Sequence, residues 1–179
     1  EKVQKAINRV QSTDFVAEFI AHAKQTGFSS INIDLIYGLP HQTTDTFART
    51  LAKAKEMDVD RISLFSYAHL PNRFAAQRKL RDEWLPGASE KFALMKQAIE
   101  TLCEYGYELI GMDHFAKPSD ELAKAQSEGT LHRNFQGYTT QGNADLLGLG
   151  VSSISAIGNS YSQNQKELKA YYQAIDTNL

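Results

Sequence analysis

The chain has 179 residues and a mass of 20.0 kDa, enough for a domain with a real core but too short for a complete (β/α)8 barrel. Its 19 Lys+Arg against 21 Asp+Glu leave a formal net charge of -2 and a pI near 6.2, so nothing electrostatic points to nucleic acid or an anionic membrane as partner. The single cysteine, Cys103, excludes an internal disulfide and any multi-thiolate metal site built from this chain alone, and makes a reducing compartment the simpler assumption. No apolar run approaches the roughly 18 residues a membrane-spanning helix needs. The N-terminal EKVQKAINRVQ is neither a signal nor a transit peptide. It begins without Met inside an amphipathic pattern, and YYQAIDTNL stops within another, so the expectation is a piece of a longer polypeptide.

The first half repeats a helix-turn-strand pattern. Residues 13 to 26 predict a helix with Phe15, Phe19, Ile20 and Ala23 inward, stopped by Gly27. SINIDLI predicts a strand covered on both sides, because Ile36 adds an apolar residue to the second face. The turn Tyr37-Gly38-Leu39-Pro40 leads to a helix capped by Thr43 or Thr44, with Phe47, Leu51, Ala54 and Met57 inward. RISLFSY is the next strand, followed by the His69-Leu70-Pro71 loop and a short helix over 74–80. Ser89 can cap a long helix through Phe92, Met95, Ile99 and Leu102, ending at Gly106, and YELIGMDHF reads as a third strand. Three strands joined by helical crossovers predict a parallel sheet with helices outside and right-handed connections. Beyond Phe115 a helix runs from Pro118-Ser119-Asp120 to about Gln126. A polar stretch dotted with Gly137, Gly142, Gly148, Gly150 and Gly158 follows, in which LLGLGVSSISAIG fits a strand or a short hairpin, and residues 163–177 return to helix.

In a parallel α/β sheet ligands bind beyond the carboxyl ends of the strands. Those ends carry Asp34 to Pro40, Ser66 to Pro71 and Met112 to Phe115, a polar and ionisable rim. Asp34 among apolar neighbours needs a partner, either structural (Arg9 or Arg61) or a ligand. His69 can anchor its loop or meet a ligand. Asp113 and His114, adjacent in a strand, face opposite sides and form a direct pair only if the strand has ended there. Cys103, beside Leu102 on its helix, reads as a small buried hydrophobe. The five histidines have no zinc-binding spacing, and neither a dinucleotide fingerprint nor a P-loop is present, so no metal site and no catalytic residue is assigned. Paired glycines such as Gly148 and Gly150 allow either close approach of backbone to a ligand or a tight structural turn.

The segments NIDLIYGLP, FSYAHLP with RFAAQRK, IGMDHFAKP and LHRNFQGYTTQG with DLLGLGVSSIS resemble the oxygen-independent coproporphyrinogen III oxidases of haem biosynthesis, a radical S-adenosylmethionine family, from about Glu1 to Asp176. The resemblance implies an α/β fold: the C-terminal part of a partial (β/α)6 barrel over 1–116, then a post-barrel helix, a glycine-rich substrate- and cofactor-facing segment and a terminal helix over 117–179. It implies decarboxylation of the ring A and B propionates of coproporphyrinogen III to the vinyls of protoporphyrinogen IX by a 5′-deoxyadenosyl radical made from S-adenosylmethionine. A 4Fe-4S cluster and an unidentified electron donor serve that reaction in the cytoplasm. Arg9 and Asp34 match positions that contact S-adenosylmethionine. Ala68 and Ile154 match contacts to a second S-adenosylmethionine, with Phe135 and Gln136 in the same pocket wall. The resemblance also implies that His114 and His132 are buried near the active face.

The family's C-x-x-x-C-x-x-C cluster motif is absent, so this chain alone is expected to bind no cluster and to be inactive. Its first strand is expected to leave an apolar edge through which copies self-associate. The competing reading is a haem-binding, chaperone-like paralogue, against which LHRNFQGYTTQG argues.

Overall fold

The computed structural model describes residues 1–177, so Asn178 and Leu179 of the expected terminal segment lie outside the described residues. The chain divides into two compact units, residues 1–127 and 128–179. The first unit contains α1 (Lys2–Ala6), α2 (Thr13–Gln25), β1 (Asn32–Tyr37), α3 (Thr44–Glu56), β2 (Arg61–Ser66), α4 (Ala88–Glu104), β3 (Glu108–Gly111), β4 (His114–Ala116) and most of α5 (Glu121–Glu128). Its sheet runs β1-β2-β4-β3. β1 and β2 are parallel, paired from Asn32↔Arg61 to Tyr37↔Ser66 across the crossover helix α3.

The expected third parallel strand is two strands. β3 and β4 form a hairpin, and β4 inserts antiparallel beside β2. The chain reverses at Met112, whose φ of 50 is a left-handed turn conformation. A turn of only Met112 and Asp113 can join antiparallel neighbours and cannot join parallel ones. Its position holds because the Leu64 amide donates to the Asp113 carbonyl at 2.6 Å.

The helices cover one face of this sheet. Ile62 and Leu64 of β2, Phe47 and Leu51 of α3, Leu94, Ala98 and Leu102 of α4, Tyr107 and Phe115 form the core, with Ile33, Leu35 and Tyr37 packed against it. The inward face of α3 is the expected one through Phe47, Leu51 and Ala54, and Thr43 caps it by accepting from the Thr46 amide at 3.2 Å. Elsewhere the expected faces hold in part: Ile20 in α2 and Ile99 and Leu102 in α4 turn inward as expected, and their phenylalanine neighbours do not. Ile20 is buried and Val16 packs on the core in α2, whereas Phe15 and Phe19 are exposed. In α4, Leu94, Ala98 and Leu102 turn inward and Phe92 is exposed. Residues one apart on a helix are rotated by about 100°, so Cys103 next to buried Leu102 is exposed rather than packed. The α4 cap is also different. Gly87 precedes the helix, and the Glu90 carboxylate accepts from the Gly87 amide at 2.7 Å, so Ser89 lies inside the first turn. The short helix expected over 74–80 is a 3-10 helix at Ala75–Lys79.

The other face of the sheet is not covered by these helices. Asn32, Asp34 and Ile36 of β1 are exposed in alternation, so the expectation of a strand covered on both sides does not hold in this chain. β1 also lies at the edge of the sheet.

The second unit consists of two hairpins and a helix: β5 (His132–Asn134) with β6 (Gly137–Thr139), β7 (Ile154–Ile157) with β8 (Ser160–Gln163), and α6 (Leu168–Asp176). The ambiguous glycine-rich stretch is thus half of a hairpin, turned at Gly158 with φ 55. α6 starts five residues after β8, which shortens the helix expected from residue 163.

Candidate functional site

Register builds the site on the uncovered face. In a parallel pair, aligned residues share a face, so Asn32 lies beside Arg61, Asp34 beside Ser63 and Ile36 beside Phe65. The β4 pairing Ser63↔His114 extends the middle row across the sheet. Asp34, Ser63 and His114 therefore form one polar row, with the apolar Ile36 and Phe65 on the side toward the strand ends. The His114 ring stands edge-on to Phe65, 6.2 Å between centroids.

The charges on this face are sorted between structure and availability. Arg61 is committed: its Nε donates to both Asp120 oxygens at 3.0 and 2.9 Å, and its Nη2 donates to Glu121 at 2.9 Å. Burial disfavours the guanidinium charge, but these hydrogen bonds outweigh it and hold the pKa above its usual value. Asp120 also accepts from the Ser30 hydroxyl at 3.0 Å and from the Leu122 amide at 2.8 Å, so it ties β2 to the start of α5. Asp34, in contrast, has no cationic side chain within ion-pair distance among the described residues. Its side-chain partner is Asn32, whose Nδ2 donates to Asp34 Oδ1 at 2.8 Å. Neither Arg61 nor Arg9 is the structural counter-ion that the sequence left open. Arg9 lies exposed between α1 and α2 and is not joined to Asp34.

At the rim, the turn after β1 is held by buried Gln42. Its Oε1 accepts from the Gly38 amide at 2.6 Å and the Leu39 amide at 3.2 Å, and its Nε2 donates to the Ile36 carbonyl at 3.1 Å. Gly38 has φ +84, and a Cβ there would meet the Lys91 side chain at 2.8 Å. Lys91 Nζ in turn donates to the Tyr67 carbonyl at 2.6 Å, which links this turn to the loop after β2. Ala68 is exposed in that loop. The Gln77 amide clamps the backbone around it, donating to the Ala68 carbonyl at 3.1 Å and accepting from the Leu70 amide. His69 is an anchor: Nδ1 lies 3.2 Å from the Tyr67 hydroxyl and Nε2 3.4 Å from Asp82. Burial raises the Tyr67 phenol above its ordinary pKa. Asp113 and His114 do meet, with Oδ1 and Nδ1 2.7 Å apart. The hairpin turn has released Asp113 from strand alternation, which is the one condition under which sequence allowed the pair.

In the second unit, Phe135 and Gln136 form the two-residue turn between β5 and β6, where the Gln136 amide donates to Asn134 Oδ1 at 2.9 Å. Phe135 packs edge-on to Tyr161 at 5.4 Å and lines a cavity of about 530 Å³ with Arg133, Asn134, Asp145 and Tyr161. Ile154 opens β7, half-buried, opposite Gln163. Gly148 is structural: a Cβ there would come within 2.6 Å of the Ile154 carbonyl oxygen. His132 is exposed, contrary to the burial implied for it, and its ring occupies the space a Cβ on Gly142 would need. The structure thus brings Asp34 and His114 onto one face of the first unit's sheet, while Phe135, Gln136 and Ile154 belong to the second unit.

Sequence reading did not select Asn32, Ser63, Gln77 or Lys91. Asn32 could have been found from its i, i+2 spacing to Asp34; Ser63 emerges only from the register between β1 and β2. Among the described residues no three His, Cys, Asp or Glu side chains converge as a metal site, and no helix is long and apolar enough to cross a membrane.

No protein-family model matches the chain. It is 58% identical over 176 residues to the oxygen-independent coproporphyrinogen III oxidase of Salmonella typhimurium, covering 98% of this chain and 38% of that protein. It is 50% identical over 175 residues to the enzyme of the same name from Pseudomonas aeruginosa, again 98% and 38%, and 47% identical over 174 residues to that of Thermostichus vulcanus, 97% and 54%. The structure of Escherichia coli coproporphyrinogen III oxidase, described as a radical SAM enzyme, superimposes with a TM-score of 0.95 at 57% identity, over 98% of this chain and 41% of that one. The expected α/β fold, that of a segment of a radical-SAM enzyme, therefore stands, with the mixed sheet as its correction. The chain spans about two-fifths of the length of most of these relatives, and over that span it belongs to the oxygen-independent coproporphyrinogen III oxidase family.

Proposed function

We propose that this chain is a working segment of an oxygen-independent coproporphyrinogen III oxidase, which decarboxylates two propionates of coproporphyrinogen III to the vinyls of protoporphyrinogen IX in the cytoplasm. The observation that carries this reading is the 57% identity and TM-score of 0.95 to the Escherichia coli enzyme over 98% of the chain. Residues 1–116 supply later βα units of the barrel, and 117–179 supply a segment facing cofactor and substrate.

S-adenosylmethionine fits the residues present. Asp34 offers an acceptor-only carboxylate on an uncovered sheet face, one oxygen held by Asn32 and no cation paired with it. That suits the hydroxyls or the ammonium of the cofactor, and the Arg9 guanidinium suits its carboxylate. By the resemblance, Ala68 of the first unit contacts a second S-adenosylmethionine through its backbone, and Ile154, Phe135 and Gln136 of the second unit are likewise assigned to that cofactor. When bound, the cofactor supplies the group that takes hydrogen from the propionate β-carbon. The protein's own residues orient it and exclude water. A 4Fe-4S cluster does not fit this chain: Cys103 is a lone thiol, exposed on α4. The reading assigns the cluster to the remaining length of the protein.

The full-length protein, reconstituted anaerobically with iron and sulfide, is expected to convert coproporphyrinogen III with release of carbon dioxide, methionine and 5′-deoxyadenosine. Tight stoichiometric haem binding without turnover overturns the reading in favour of a haem-binding paralogue. Asp34→Ala is expected to weaken S-adenosylmethionine binding about tenfold, the loss of a charge-assisted hydrogen bond; unchanged affinity removes Asp34 from the site. The 179-residue chain by itself is expected to show no iron–sulfur absorbance and no turnover. Its open β1 edge supports self-association, read by sedimentation as a mass that rises with concentration. A concentration-independent monomer overturns that part.

A further inference from the structure

The Asp34 carboxylate is not simply exposed on its strand; a two-link chain of hydrogen bonds fixes it from the neighbouring strand. Ser63 Oγ donates to Asn32 Oδ1 at 3.1 Å, and Asn32 Nδ2 donates to Asp34 Oδ1 at 2.8 Å. The chemistry of the three groups allows one polarity. An ionised carboxylate only accepts, so the Asn32 amide must present its NH2 to Asp34, and its oxygen then faces Ser63. Ser63, a residue only 4% exposed, donates its hydroxyl to that oxygen and so anchors the amide at its other end, while the flipped amide would set its oxygen against the Asp34 carboxylate. Register makes this possible: Asn32 and Asp34 share a face of β1, and Ser63 is the β2 residue aligned with Asp34 on that face.

We infer that Asn32 and Ser63 are positioning residues for Asp34: the Ser63–Asn32 relay fixes Oδ1 and directs Oδ2 toward a ligand that donates hydrogen bonds, a hydroxyl pair or an ammonium. This rests on the reading of Asp34 as a contact to S-adenosylmethionine. A carboxylate on an exposed strand otherwise samples several χ1 and χ2 states, and ordering it only when ligand arrives weakens binding. A pre-ordered carboxylate avoids that loss. The relay is local to β1 and β2 and does not touch the hydrophobic core, so its removal leaves the helix-covered face intact.

The test is a double-mutant cycle on S-adenosylmethionine binding in the full-length protein. Asn32→Ala is expected to weaken binding about tenfold, and Asn32→Asp more, because it replaces the donor with a second carboxylate. Ser63→Ala, which removes the second anchor of the Asn32 amide, is expected to cost about threefold. In an Asp34→Ala background, Asn32→Ala is expected to have no further effect, since its route to the ligand is gone. Asn32→Ala costing the same factor in both backgrounds overturns the inference, because it would then act on the strand and not on the carboxylate. Loss of binding in Asp34→Ala with none in Asn32→Ala overturns the inference alone. Wild-type affinity in Asp34→Ala overturns both the inference and the assignment of Asp34.

Discussion

The two units of this chain are held together by different physics. Every buried apolar residue of the core among the described residues lies in the first unit, from Ile20 to Ala125. In the second unit the buried residue is Ser155, while Leu147, Leu149 and Tyr161 are exposed. The first unit is thus a helix-covered sheet stabilised by burial. The second is a set of hairpins stabilised by backbone ladders, close glycine contacts and side-chain-to-backbone hydrogen bonds such as Asn164 Nδ2 to the Gly150 carbonyl at 2.8 Å. A candidate site on the first unit therefore rests on a rigid platform, as binding groups on strands generally do. One on the second depends on turn geometry.

Substitutions of graded severity test this contrast. Phe115→Ala removes a ring that is 1% exposed at the join of β4 and the core, and is expected to lower unfolding free energy by about 3–5 kcal/mol in a urea titration. Asp120→Ala, which leaves half-buried Arg61 without its main partner and opens the α5 start, is expected to cost about 3 kcal/mol by the same measurement. A cost below about 1 kcal/mol for either would mean the first unit is not organised by its core. In the second unit, Gly148→Ala forces a Cβ against the Ile154 carbonyl and is expected to cost about 1–3 kcal/mol, seen as lost amide-exchange protection confined to β7 and β8. Leu149→Ala, at a position 84% exposed, is expected to stay within about 0.5 kcal/mol of the parent.

Tyr107 gives a pH signature that belongs to the first unit. Its hydroxyl donates to the Val59 carbonyl at 2.7 Å, and burial, with Asp58 and Asp60 nearby, pushes the phenol up to about 12 from 10. Because the unfolded chain ionises first, stability from this group is intact below pH 10 and falls as the pH rises from 10 toward about 12. Tyr107→Phe is expected to flatten that decline in an alkaline stability profile, and to cost about 1 kcal/mol at neutral pH for the lost hydrogen bond. An unchanged alkaline slope would show that the phenol is not protected by the fold.

Much of the first unit was legible because its pattern is local. Thr43 before an amphipathic run, glycines after helices, and alternating residues in NIDLIY and RISLFS mark elements without reference to the rest of the chain. The inward faces of α2 and α4 were less legible, since Phe15, Phe19 and Phe92 carry as strong an apolar signal as the Val16, Ile20 and Leu94 that turn inward. Hydrophobicity states that a side chain gains from burial, while the partner's position decides which one is buried. YELIGMDHF was read as one strand because apolar content runs through it; only the left-handed Met112 and the pairing of β4 with β2 divide it. At the candidate site, Asp34 was visible as a charge among apolar neighbours. Its dependence on Asn32 and Ser63 was not, because the second link crosses between strands 31 residues apart.

From the sequence come the helices of the first unit with its strands β1 and β2, the fact that one thiol cannot hold a cluster, and, through the quoted motifs, the family. The tertiary structure alone decided the mixed order β1-β2-β4-β3, the open polar row of Asp34, Ser63 and His114, the Asp113–His114 pair, and the assignment of Arg61 to Asp120. The physical reason is that propensity and capping act over a few residues, whereas strand register and ion-pair choice depend on which distant segments are brought within about 3 Å of each other.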